Sequence, residues 1–531
     1  MDFILNNAPT VLLVVAGVLI VFGALLGLLR GFKRAFIRFL TVAAAFFGSL
    51  FACRFFLTDT RRVLEHPWTQ KLLALLKVTF LDQLQEQVPK AYDLLIGLPV
   101  AILAPVVFTA LFLIAAFVLE IVSMIIGFFA GPKRGFRLLG GAVGAIQGAV
   151  FTVALMVPLC GLLTNAVSAI DTIEAEKDGN YNVAAIDQLS EYKEQMLAVT
   201  EAPIYKMVDT YAGTPICKSL MRYKVDGKEI DIQNETDNVA RLYAHVFPLI
   251  GTDVKSYNQD QIRALYKIVD GYTKTVDGKT ETFPGDIDRS ELFPRLLTEI
   301  LNAAGKAWRA ADGSFFSVKA PQASGDFNDA LLELFKIMET TSTDPVSDDP
   351  DAKSLVATDL KTLVDLLNVF EEHGIFPIID DGDAMKNKMA TDPTLIPEIR
   401  HTLRDNPRYR PVCDAIERAV VTSVVSVPEE GTPEYAKFRD MTEDVATALN
   451  GLTEEQRQAF FDDPAGFLEE DSPYSDAMQT ALHNYDVDSA MVEISRELIS
   501  DVLNDEFGDK IKNGETITAS EIEEFLRNYG K

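Results

Sequence analysis

The chain has 531 residues, 48% of them hydrophobic, and sets 49 Lys+Arg against 77 Asp+Glu for a formal net charge of −28. That length exceeds what one compact core accommodates, so more than one folding unit is expected. The acidic excess excludes the basic footprint of a DNA or RNA binder, so no nucleic acid partner is expected.

The charge is unevenly divided. Residues 1–165 carry 13 Lys+Arg and 7 Asp+Glu, which leaves 36 and 70 for the remainder. The first part holds four apolar runs, each near the roughly 20 residues that cross a bilayer. The first, 11–29, is uncharged, with no basic stretch ahead of it and no small-residue cleavage site, so it is expected to stay in the mature protein. The second, 35–57, contains Arg38 and Arg54 near its ends, where long stems can snorkel to the interface. The third, 97–119, includes Pro99 and Pro105 and ends at Glu120; the fourth, 138–163, includes Pro158.

Short basic turns follow spans one and three: Arg30, Lys33 and Arg34 in the first, Lys133, Arg134 and Arg137 in the second. Because Lys and Arg of short loops tend to remain cytoplasmic, these six residues predict a multi-pass protein of the cell membrane. Its N-terminus, its 58–93 loop and its long C-terminal part lie outside the cytoplasm. The 58–93 loop carries Arg61, Arg62, Lys71, Lys77 and Lys90 of its own, which weakens the asymmetry. Within it, Leu72, Leu73, Leu76, Phe80 and Leu84 recur near helical spacing beside Trp68. Such a helix either lies on the outer membrane face or packs under the soluble part.

In the fourth span Gly140, Gly144 and Gly148 recur every four residues, so one helix face lacks side chains and admits a close neighbour. A neighbour within the chain is the simpler expectation; a homo-oligomer through the glycine face is the alternative. Glu120 is an ionisable residue at the edge of an apolar run. It belongs either to a proton or cation path together with Gln147 or, more simply, to the cytoplasmic interface.

The segment Gly27-Leu-Leu-Arg-Gly-Phe-Lys-Arg34, and later Arg137-Leu-Leu-Gly140 continuing to Gly144 and Gly148, resembles the colicin V production protein family, CvpA. The likeness covers about 1–165 and departs from the family pattern at Phe136, where an acidic residue is expected, and at Gln147, where a basic one is common. The resemblance implies a four-span membrane protein connected with envelope function and toxin export. It brings no catalytic residues and no cofactor.

Residues 166–531 read as mainly helical, with amphipathic stretches at 238–249, 290–304, 327–338, 359–373 and 489–503. Thr518-Ala-Ser-Glu521 has the form of a capping box. Two Asp-Gly pairs, Asp226-Gly227 and Asp277-Gly278, sit between alternating residues and predict tight hairpins. The polar, proline-bearing segment 341–351 is either a linker between two lobes or a loop inside one.

Chemical motifs are sparse. Gly271 to Gly278-Lys279-Thr280 has the wrong spacing for a phosphate loop. Asp509, Asn513 and Gly514 mimic part of a calcium loop, but Ile511 and Ser520 occupy positions that need oxygen ligands. Asp380, Asp381 and Asp383 cluster as a solvated loop does. The five histidines lack metal-ligand spacing, so no metal and no cofactor are expected. Cys217 and Cys413 are the two cysteines of the acidic part, either paired or, preferably, buried as free thiols.

The expectation is an all-α membrane domain of four transmembrane helices with a mainly α-helical soluble domain bearing a few short β-hairpins. It works, without enzymatic activity, as a binding or scaffold protein for envelope or membrane proteins, linked to secretion or envelope maintenance, with the lipid bilayer around it. An oligomeric transporter or channel component for toxin or small-solute export is the first rival, and a cell-wall-acting extracytoplasmic enzyme the second.

Overall fold

The computed structural model describes residues 8–57, 79–129, 136–176, 184–276, 279–310, 313–322, 327–347, 349, 352–392, 394–425, 427–469, 472–485, 487 and 489–529. Four of its helices are long and apolar enough to cross a membrane. These are α1 (Ala8–Arg30), α2 (Phe32–Leu57), α4 (Pro89–Phe129) and α5 (Arg137–Glu176), with a short α3 (Thr79–Gln87) ahead of α4. α1 turns into α2 through a single residue, Gly31, whose φ of 77° suits glycine. Val14, Val18 and Phe22 of α1 and Phe47, Phe51 and Phe55 of α2 are exposed, forming the apolar outer surface such a bundle presents to lipid.

α1 and α5 pack backbone against backbone. A Cβ added to Gly144 would overlap the Gly23 carbonyl oxygen, one on Gly27 would overlap the Gly140 carbonyl oxygen, and one on Gly140 would come within 2.6 Å of the Gly27 oxygen. Gly148 stands against Leu19 and Ile20 in the same way. The face considered above for a second copy is therefore occupied by the first helix of the same chain.

Prolines inside α4 and α5 remove backbone donors, which a bilayer cannot replace. Pro158 leaves the Ala154 carbonyl without its helical N–H, and the Thr109 hydroxyl of α4 donates to that oxygen at 2.7 Å. The proline of one helix is thus tolerated through a hydroxyl of another.

After α5 the chain returns over the bundle. α6 (Ala184–Thr200) leads to α7 (Pro203–Val208), a π turn (Asp209–Gly213) and α8 (Thr214–Leu220). The Tyr205 hydroxyl donates to the Leu159 carbonyl at 3.2 Å, and the Cys217 thiol donates to the Val157 carbonyl at 3.4 Å. The hairpin β1 (Arg222–Val225) and β2 (Lys228–Asp231) turns at Asp226 and Gly227, with φ of 51° and 80°, the doubly left-handed turn that Asp-Gly favours. Tyr223 is fully buried; its hydroxyl donates to the Leu94 carbonyl at 2.8 Å and its ring lies on Gly97, which has no side chain to obstruct it. One hydrophobic core therefore runs from Ala101, Phe108 and Phe112 of α4 to Tyr205, Leu220 and Tyr223.

Next come α9 (Ile232–Val246), α10 (Gln259–Val269), the second hairpin β3 (Gly271–Val276) and β4 (Lys279–Pro284), α11 (Asp286–Arg289) and α12 (Phe293–Trp308). The expected second hairpin forms, although its Asp277-Gly278 turn lies outside the described residues. Residues 1–250 and 267–300 constitute one compact unit, and residues 251–266 and 301–531 the other. In sequence the two units meet at 250/251, 266/267 and 300/301; α5 continues past the apolar run to Glu176, and α9 packs on it.

Among its described residues the regular structure of the second unit is helical apart from a bridge between Pro345 and Ser354 and the hairpin β5 (Ser314–Phe315) and β6 (Val318–Lys319), which turns at Phe316 and Ser317 with φ of 46° and 66° and lacks a turn glycine or asparagine that would announce it. Its helices include α13 (Phe327–Thr340), α14 (Leu355–Glu372), α15 (Gly382–Thr391), α16 (Leu395–Asp405) and α17 (Arg410–Val424). A separate core of Phe438, Phe460, Tyr474, Leu482, Phe507 and Ile522 joins the helices from α18 (Pro433–Asn450) to the chain's last, Ala519–Tyr529. The capping box expected ahead of that last helix is present: Glu521 N–H donates to Thr518 Oγ1 at 3.3 Å and Thr518 N–H donates to Glu521 Oε2 at 2.8 Å. Segment 341–351, in its described residues, is a pinned loop of this unit. Thr341 Oγ1 donates to Asp359 at 2.8 Å, and Val346 N–H donates to the Lys353 carbonyl at 3.0 Å.

Of the amphipathic 58–93 loop, residues 58–78 with Trp68 lie outside the described residues, while Leu84 of α3 is fully buried and α3 packs on α4.

Candidate functional site

Near the α1–α2 turn a cavity of about 370 Å³ opens among α1, α2, α4 and α5. Its polar lining is Arg30, Arg38, Glu120 and Gln147; Phe22, Leu26, Leu113, Phe117 and Phe151 are among its apolar walls. Glu120 and Gln147, singled out separately in the sequence, thus line one space. Arg30 closes α1, and Arg38 lies six residues beyond the start of α2, about 9 Å along it at 1.5 Å per residue.

The Arg38 guanidinium pairs with the Glu120 carboxylate, and Arg30 Nη1 stands 4.0 Å from the same carboxylate. Ser123 Oγ donates to the Glu120 carbonyl at 2.8 Å and reaches its Oε2 at 3.4 Å. Arg38 is 9% exposed, so it does not snorkel to the interface as its place near the end of an apolar run suggested. It turns inward because Glu120 offers a counter-charge there, which outweighs hydration at the rim. Among the described lining residues two guanidiniums face one carboxylate, leaving one positive charge in excess. That excess argues against a cation path through Glu120 in this arrangement, since the carboxylate is already neutralised.

Of the residues expected to set topology, Arg30, Lys33, Arg34 and Arg137 belong to the helix ends around this site, and Lys133 and Arg134 lie outside the described residues. Gly140, Gly144 and Gly148 carry the α1–α5 contact, with Gly148 also lining the cavity. Gly23 was not singled out from the sequence, and Gly27 only as the start of the quoted motif, although their spacing of four is the same small-residue signature.

A second group of ionisable residues forms where α5 ends. His245 Nδ1 and Asp286 Oδ2 are 2.6 Å apart, Glu176 Oε2 lies 3.8 Å from His245 Nε2, Arg241 pairs with Glu176, and Lys274 stands 3.6 Å from it. His245 and Asp286 are 2% and 1% exposed. A His–Asp pair resembles part of a catalytic relay, yet here neither side chain presents a reactive atom to an open cleft. The group fastens α9 to α5 and α11.

All four cysteines are buried free thiols. Burial pushes the Cys217 and Cys413 thiols up to about 12, so at pH 8 only about one in ten thousand is thiolate, the reactive form. Both are expected to resist a water-soluble maleimide at pH 8 in the folded protein and to react once it is denatured. Mass spectrometry of labelled peptides checks this, and rapid native labelling of either residue contradicts it.

The remaining motifs resolve as structure. Asp381 caps α15 by accepting from Ala384 N–H at 3.0 Å, and Asp380 pairs with Lys255 at 2.5 Å. Asp509 and Asn513 fall inside a helix, Ser489–Asn513, and not in a loop. No group of three or more His, Cys, Asp or Glu is placed to hold a metal ion among the described residues. Comparison with known proteins finds no family model, no curated protein and no solved structure that matches the chain. The likeness of residues 1–165 to the colicin V production family rests on the quoted motifs alone.

Proposed function

We propose that this chain is a CvpA-like integral membrane protein that acts as a non-enzymatic binding or scaffold protein for envelope or membrane proteins, in the service of secretion or envelope maintenance. The observation that carries this reading is the single core joining α4 and α5 to the hairpin at Tyr223. A domain built into its anchor is held in fixed register with the bilayer, which suits a platform that presents a surface to partners. The basic helix ends around Arg30 and Arg137 lie at one end of the bundle and the docked hairpin at the other. If Lys and Arg are retained inside, this arrangement supports an acidic part outside the cytoplasm.

Cells with their outer barriers opened, treated with an impermeant protease, test that sidedness. A C-terminal tag is expected to be lost while a cytoplasmic control survives; a tag cut only after the inner membrane is lysed reverses the orientation and with it the class of partner.

A second reading, an export channel component for solutes other than cations, rests on the cavity alone. It requires a path along Glu120 and Gln147, and loss of solute flux in an inserted Glu120→Gln protein supports it, whereas unchanged flux removes it.

A further inference from the structure

The cavity between α1 and α4 has two properties that point to an occupant. Its polar end holds Arg30 and Arg38 against the carboxylate of Glu120, so among the described residues that line it one positive charge has no counter-ion. In apolar surroundings such an excess is costly unless an anion neutralises it. Its other end is apolar and opens sideways. Phe22 on α1 and Phe117 on α4 both line it, and they are 58% and 69% exposed on the surface that faces lipid. α1 packs chiefly on α5, and α4 on α2 and α5, so the space between α1 and α4 is not closed by their own contact.

We infer that this cavity is a binding site for an anionic membrane lipid, with its headgroup phosphate on Arg30 and Arg38 and its acyl chains leaving between Phe22 and Phe117. Guanidinium presents paired N–H donors that match phosphate oxygens and remains charged at every physiological pH. Arg30 is the available partner: it is 4.0 Å from a carboxylate already engaged by Arg38. Gln147, on the opposite wall, supplies a neutral donor and acceptor for the ester or glycerol oxygens of the headgroup. The position fits the lipid as well. Arg30 ends α1 and Arg38 is about 9 Å along α2, so the charged end of the cavity lies near the level of headgroups and the apolar end at the level of acyl chains. A cavity of about 370 Å³ accommodates a headgroup and the first part of its chains, which is how basic pockets between helices read acidic lipids. This inference goes beyond the scaffold reading and does not depend on it, since it concerns the bundle alone and holds for either orientation of the acidic part.

Native mass spectrometry of the full chain in detergent, with phosphatidylglycerol or phosphatidylcholine titrated in, is the test. Phosphatidylglycerol is expected to be retained at one molecule per chain at least ten times more tightly than phosphatidylcholine. Arg30→Gln is expected to remove that preference, and Arg34→Gln, on an exposed residue of the same turn that does not line the cavity, to keep it. Arg30→Gln changes the end of a helix and spares the closer Arg38–Glu120 pair; circular dichroism and a monodisperse elution profile show that the variant has folded. Equal retention of both lipids overturns the inference, as does a preference that survives Arg30→Gln. Equal loss in Arg30→Gln and Arg34→Gln also overturns it, because the attraction is then a diffuse property of the basic surface. Displacement of the bound lipid by millimolar inorganic phosphate overturns the lipid as occupant in favour of a free anion, and no displacement supports it.

Discussion

A leucine in place of Gly144 is expected to abolish the folded bundle. A Cβ at this position overlaps the backbone carbonyl oxygen of Gly23, and backbone cannot rotate aside as a side chain can. α1 and α5 must then separate, and the neighbouring close contacts of Gly27 with Gly140 and of Gly148 with Leu19 open together. Apolar helices in lipid gain little from hydrophobic burial against one another, so close packing is what holds them, and losing it is not offset elsewhere. The cost is expected to exceed about 3 kcal/mol, the upper end for overpacked sites. Gly17 and Gly48 supply the contrast, because a Cβ at either meets nothing within 4 Å. Alanine at these positions is expected to be neutral or to stabilise by up to about 1 kcal/mol through helix propensity. Monodispersity in detergent and the midpoint of thermal aggregation check all three; a Gly144→Leu protein with the native midpoint refutes the packing described.

The ion pair at the cavity predicts an ordered set of losses. Glu120→Gln leaves two guanidiniums without a carboxylate; with the Glu120 side chain 27% exposed, the loss is expected to fall below the roughly 3–5 kcal/mol of a fully buried pair. Arg38→Gln is expected to cost less, because Arg30 already stands 4.0 Å from Glu120 and can take over as its partner. The double variant Arg38→Gln with Glu120→Gln is expected to lose less than the sum of the single losses, with a coupling of about 1–3 kcal/mol for groups in direct contact. Thermal midpoints of the four proteins in the same detergent and lipid measure this. Strict additivity, or an Arg38→Gln loss larger than that of Glu120→Gln, contradicts the pairing.

Local chemistry made several features legible. Asp226-Gly227 called for a left-handed two-residue turn and has one, and Thr518 with Glu521 formed the reciprocal cap that their spacing of three allows. The third hairpin was not legible, because Phe316 and Ser317 are held at positive φ without the residue types that prefer it. Glu120 and Gln147 stood out because polar groups in apolar runs are rare. Arg38 was misjudged because snorkelling is the default for an arginine near a helix end, and its real partner is 82 residues away in sequence.

What the amino-acid sequence determined by itself is whatever depends on neighbours along the chain: four apolar helices of spanning length, the basic turns, the turn at Asp226, the cap at Thr518 and the predominance of helix. What only the tertiary structure decided is what depends on distant partners. It placed Gly23 against Gly144, turned Arg38 toward Glu120, supplied the Thr109 hydroxyl to the carbonyl that Pro158 leaves bare, and joined α4 to the hairpin at Tyr223 in one core. The physical reason is the same in each case. Composition records how a segment interacts with its solvent, whereas a close approach, an ion pair or a shared core exists only once two remote segments meet.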